Sequence, residues 1–348
     1  MILFLIIMSE ATTKPYINSA FDVLFIIGAP IIAFTAISLV SYPRSITGQF
    51  LMDPQTPEWF IAFSSVITHT HVMMVFARSH MNQKVFRRFP LRFILVPILV
   101  MLAFSWSPIV SGLMAIVALY WDEWHTLMQT FGFGRIYDSK IGNDPRLGRK
   151  LDIGICFVLG LLPHMLLLTY LPENVRTEGL YQVLNLDFAV AEKYGRYLQS
   201  LRYPLMVFGG GYILFYLFSY WRLIKNGYKV SRAKLMLLGA TGTTAILVAS
   251  FYSIADAGHF MNIYHSLQYL FIVCVLEAPI LSGRIQFPRV NRKLIMTVCG
   301  LVILSVAFVA GVARLLDQFA FLGNFWLLTS LLHFWYDGFI WSVSNRDI

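Results

Sequence analysis

Asp122, Glu123 and His125 lie in the stretch Tyr120–Gln129, YWDEWHTLMQ, which continues the apolar run Pro108–Leu119. Such a run is too hydrophobic for a surface helix. The three ionisable groups are therefore expected inside a bilayer-spanning segment, where they are costly to bury and usually serve function. On a helix Asp122, His125 and Gln129 are spaced i, i+3, i+7 and share a face, with Glu123 about 100° round.

Three other apolar segments carry the same residue types. ITHTHVMMVFARSH holds His69, His71 and His80. HFMNIYHSLQY holds His259 and His265, and LLHFWYDGF holds His333 and Asp337. At a rise of about 1.5 Å per residue, His71, Asp122, His125 and His333 fall within roughly one turn of the same depth, with His265 a turn further out. His69 and His71 are about 200° apart, so an undistorted helix offers one site only one of them. A single intramembrane histidine is commonly just a helix–helix hydrogen-bonding partner. His80 and His259, near Arg78 and Asp256, read as interfacial, and His164 as structural.

Several histidines and carboxylates at one depth form the ligand set of iron, copper or zinc, and the metal supplies the charge that keeps a buried acid ionised. The expected metal ligands are His69, His71, Asp122, His125, His265, His333 and Asp337. Glu123 and Gln129 are the expected catalytic groups, handling protons or positioning substrate. The chemistry this suggests is a membrane oxidoreductase of hydroxylase, desaturase or oxygenase type. It would use non-haem iron, or else copper or zinc, on a lipid or other apolar substrate, with a redox partner. Three alternatives use the same residues: a b-type haem electron carrier, a proton or metal transporter, and a zinc-dependent lipid hydrolase. The HxxxH, HxxHH and HExxH patterns are absent. FGFGRIYDSK, at Phe131–Lys140, lacks the spacing of a phosphate loop, and no nucleic-acid partner is expected.

The elements that must position these groups follow from composition. The 348 residues are 57% hydrophobic and 13% charged, with a mean hydropathy of +0.66. That excludes an ordinary soluble domain and fixes an all-α, polytopic membrane protein. Ten apolar segments are expected, roughly Ala20–Tyr42, Trp59–Ala77, Phe93–Trp106, Ser107–Phe131, Ile153–Leu171, Pro204–Trp221, Leu235–Ile254, His259–Ile280, Leu294–Val312 and Phe321–Val343. With both termini cytoplasmic, 21 of the 27 Lys and Arg residues fall inside, as the positive-inside rule requires. This implies a multi-pass protein of the cell inner membrane, one transmembrane domain over 1–348, with residues 172–203 as an extracytoplasmic loop.

Cys156, Cys274 and Cys299 all fall in apolar runs and form no CxxC pair. MILFLII lacks a basic flank and a cleavage site, so a signal peptide is not expected, and Met8 is the simpler translation start.

Overall fold

The computed structural model describes residues 11–12, 14–43, 56–170, 193, 196–282, 300 and 320–340. Among these, the elements are almost all helical. In chain order they are β1 (Ala11–Thr12), α1 (Ser19–Ile27), α2 (Ala29–Val40), α3 (Glu58–Met81), α4 (Gln83–Arg88), α5 (Pro90–Trp106), α6 (Pro108–Lys140), α7 (Arg149–Leu168), α8 (Arg202–Lys225), β2 (Val230–Ser231), α9 (Arg232–Phe251), α10 (Ile254–Ser282) and α11 (Ala320–Ile340). β1 and β2 pair in parallel over two residues each. Helices α3, α7, α8 and α9 are long and apolar enough to cross a membrane, and α1–α2 makes a fifth if its 46° bend is one broken span. The bend falls at Gly28, where a Cβ would sit 2.6 Å from the Val23 carbonyl oxygen. No larger residue fits there without moving the backbone.

Local sequence accounts for most helix ends. Pro90 and Pro108 open α5 and α6, where a missing N–H is harmless, and Ser107 between them is extended. The tight turn expected at Trp106–Pro108 is therefore present. Asn82 caps α4 by accepting from the Lys84 and Val85 N–H groups at 3.2 and 3.4 Å. Several boundaries shift by a turn or so, as at the start of α7 and α10, and one shifts further: the segment expected to end at Phe131 continues as helix to Lys140. Its 33 residues span about 50 Å, more than a hydrocarbon core, and the extra turns enter the charge cluster described below. The segment expected over 294–312, most of residues 172–203, and Met1 and Met8 lie outside the described residues.

The chain divides into two compact units, residues 1–60 with 126–265, and residues 61–125 with 266–348. In the first, α7 and α8 meet where Gly154 faces the Tyr212 hydroxyl, which would have to move to admit a Cβ at that position. Around Leu127, Phe131, Ile155, Tyr216, Tyr220 and Leu238 this unit packs its own apolar core.

Beside that core is a charge-balanced cluster. The Lys234 ammonium lies 2.7 Å from both Asp138 and Asp152, and Arg135 bonds Asp138 at 2.9 Å and also Asp152. Arg135 further donates to the carbonyls of Asp144, Pro145 and Leu147. Tyr228 donates to Asp138, and burial, which outweighs the nearby ammonium, pushes its hydroxyl up to about 12. It therefore stays a neutral donor. Two cations, two carboxylates and their hydrogen bonds satisfy the condition under which buried charge is tolerated.

In the second unit Met74, Val75, Phe93, Leu270, Leu332 and Tyr336 lie within one buried apolar core. On α5, Leu91, Ile94, Leu95, Ile98, Leu99 and Leu102 form one exposed apolar face, the surface a lipid-facing helix presents.

Lys234→Ala leaves two carboxylates buried around a missing ammonium, and is expected to lower stability by about 3–5 kcal/mol. Exposed Lys150→Ala is expected to stay within about 0.5 kcal/mol. Unfolding midpoints in detergent check this, and equal midpoints for the two variants would refute it.

Candidate metal centre

The second unit gathers three imidazoles and a carboxylate. His71 lies on the core-facing stripe of α3, followed at i+3 and i+4 by buried Met74 and Val75. His333 occupies the equivalent stripe of α11, between Thr329 at i−4 and Tyr336 at i+3, both buried. His125 enters from α6, its ring 5.2 Å from that of Phe334. Asp337 follows His333 by one turn. The packing that builds the apolar core thus also turns these polar groups inward.

Their geometry is close. His125 Nε2 is 3.5 Å from Asp337 Oδ2, and His333 Nε2 is 3.8 Å from the same oxygen. Ligand atoms of His125, His333 and Asp337 all lie within 4.8 Å of one another, so the three could hold a metal ion. Donors about 2.0–2.2 Å from one ion stand roughly 3–3.5 Å apart in a tetrahedral set, close to the two nitrogen–oxygen distances here. The His71 ring adjoins at 4.6 Å, edge to face with His333. His71 and His333 are fully buried, whereas the side chains of His125 and Asp337 keep 11% and 8% exposure. Three neutral imidazoles with one carboxylate carry a single negative charge, which a divalent cation more than offsets.

Around this group, α10 adds two hydroxyls. Ser266 Oγ is 2.7 Å from His71 Nδ1, and the Tyr269 hydroxyl donates to Asp337 Oδ1 at 3.1 Å. The Tyr269 ring also packs 4.9 Å from His333 and 5.6 Å from His71.

His69, Asp122, Glu123 and Gln129 lie outside the group of His125, His333 and Asp337. His69 holds its Nδ1–H on the Ser65 carbonyl at 2.7 Å and sets its ring 4.1 Å from Trp326, edge to face. Of the pair His69 and His71, only His71 joins the group, as the turn of the helix requires. Asp122 and Glu123 are half-buried on α6, next to each other, and neither belongs to the group around Asp337. Gln129 belongs to the first unit, where its amide donates to the His265 carbonyl at 3.2 Å. His265 is fully buried at the end of that unit, immediately before Ser266.

Ser266 and Tyr269 escaped the reading of the sequence as site residues. Neither is ionised at neutral pH, and hydroxyls are common in membrane helices. The available signal was their i, i+3 spacing directly after His265. No protein-family model, no curated protein and no solved structure matches this chain.

Proposed function

We propose that the protein is a multi-pass membrane oxidoreductase using a single non-haem iron held by His125, His333 and Asp337, with His71 beside them. The observation that carries the reading is the pair of Nε2 atoms at 3.5 and 3.8 Å from one carboxylate oxygen. Two histidines and one carboxylate with positions left open is the arrangement associated with iron(II) oxygenase chemistry. A bound iron supplies the redox chemistry with dioxygen. The chain's own residues bind it, orient its ligands, and keep water away through the apolar core on α3, α10 and α11.

The substrate is a lipid or other apolar molecule reaching the site along the side of His125 and Asp337, with electrons from a redox partner. The second unit's apolar core supports an apolar substrate, because a polar one would leave its hydrogen bonds unmet there. Glu123 and Gln129 stay outside the metal-binding group; in this reading they serve proton delivery or substrate positioning only.

Ten spans with both termini cytoplasmic, in the cell inner membrane, complete the proposal. The exposed apolar face of α5 and the distribution of Lys and Arg support it.

Detergent-purified protein reconstituted with iron(II) is expected to hold one ion per chain, with His125→Ala, His333→Ala and Asp337→Ala each falling below about one tenth of an equivalent. Elemental analysis checks this. An unaltered iron content in all three variants, or zinc retained where iron is rejected, overturns the iron assignment. For topology, a cysteine at Lys150 is expected to react with an impermeant maleimide only from the cytoplasmic side, and one at Glu178 only from the opposite side. Labelling of both from one side sinks the ten-span arrangement.

A further inference from the structure

We infer that Ser266 and Tyr269 are positioning residues that fix which atoms of His71 and Asp337 face the metal; this rests on the metal reading above. Both belong to α10, one turn apart. Both are buried, at 0% and 3% exposure. Each contacts a different candidate ligand, and each contact is to the atom that should not coordinate.

For Asp337 the two oxygens have separate tasks. Oδ1 accepts from the Tyr269 hydroxyl at 3.1 Å, while Oδ2 faces His125 and His333. A carboxylate held in this way binds a cation through Oδ2 alone. Without the phenol this bond to Oδ1 is lost, and the group is freer to rotate and place both oxygens on the ion. Tyr269 thereby sets the number of donors, and with it the number of positions left for substrate or dioxygen.

For His71 the hydroxyl selects a nitrogen. Ser266 engages Nδ1 at 2.7 Å. With the hydroxyl on Nδ1, Nε2 is the nitrogen the ring can turn toward a cation. Outer partners of this type typically change metal affinity about 10–100-fold without contacting the metal. Because both come from one helix, a small shift of α10 would alter both ligands together.

Cobalt(II) is the probe, added to the full-length protein in detergent, with bound metal, visible d–d absorption and thermal midpoint read in parallel. Wild type is expected to bind one ion per chain with the intense bands of a low-coordinate site. Tyr269→Phe is expected to bind the same amount about 10–100-fold more weakly, with weaker bands as Asp337 adds its second oxygen. Ser266→Ala is expected to lose affinity on the same scale, and Ser266→Thr, which keeps the hydroxyl, to recover it. Unchanged affinity and bands in Tyr269→Phe and Ser266→Ala overturn the proposal while leaving the metal site standing. Weaker binding with unchanged bands and a lowered midpoint also overturns it, by assigning the two residues to packing. Wild type that takes up no cobalt overturns the metal reading itself, and this inference with it.

Discussion

The carboxylate of Asp337 is the group on which the candidate site depends. Three imidazoles buried together gain little from one another, since each presents a ring dipole and none supplies charge. An ionised carboxylate among them is costly in an apolar core unless it is hydrogen-bonded and paired. Tyr269 supplies the hydrogen bond at Oδ1, and the Nε2 atoms of His125 and His333 surround Oδ2. The partners of the carboxylate thus include a phenol and two imidazoles. In the proposed centre, a divalent cation between these donors would offset the cost of burying the charge.

A useful contrast lies in the same molecule. The cluster of Arg135, Asp138, Asp152 and Lys234 contains as many ionisable groups and is also largely buried. It is already neutral, with two cations matched to two carboxylates, and Arg135 spends its remaining donors on three backbone carbonyls. Nothing about it calls for a ligand. Burial and charge count together thus separate a structural network from a candidate centre, which a tally of buried polar residues cannot do.

Sequence was most informative where composition and period act alone. Apolar runs with intervening basic residues marked where the described helices lie, most ends to within a turn or so, and the break at Ser107, but not the extension of α6 to Lys140. Depth arithmetic at a fixed rise per residue brought His71, Asp122, His125 and His333 to one level. Which of them meet depends on helix rotation and on neighbours, and neither is local. Asp122 shares a helical face with His125 by spacing, yet only His125 joins Asp337. The basic residues were legible as topology signals, but counting them by loop hid the fate of two. Lys234 and Arg135 pair with acids far along the chain, at separations of 96 and 17 residues. Only the i, i+3 pair of Arg135 with Asp138 was visible locally.

The hydroxyls of Ser266 and Tyr269 mark a further boundary of what sequence conveys. An ionisable residue in an apolar run is conspicuous because its burial demands compensation. A serine or tyrosine there demands one hydrogen bond and can find it almost anywhere, often on its own helix. Its role becomes readable only when the partner is identified, and here both partners are candidate ligands. In the proposed centre the energetic logic runs outward from the carboxylate: its charge would be balanced by a cation, the cation by imidazoles turned toward it, and the imidazoles by neighbours that hold the other nitrogen. Each step recruits residues less conspicuous than the last, which is why the outermost ones carry the weakest sequence signal while still controlling the geometry at the centre.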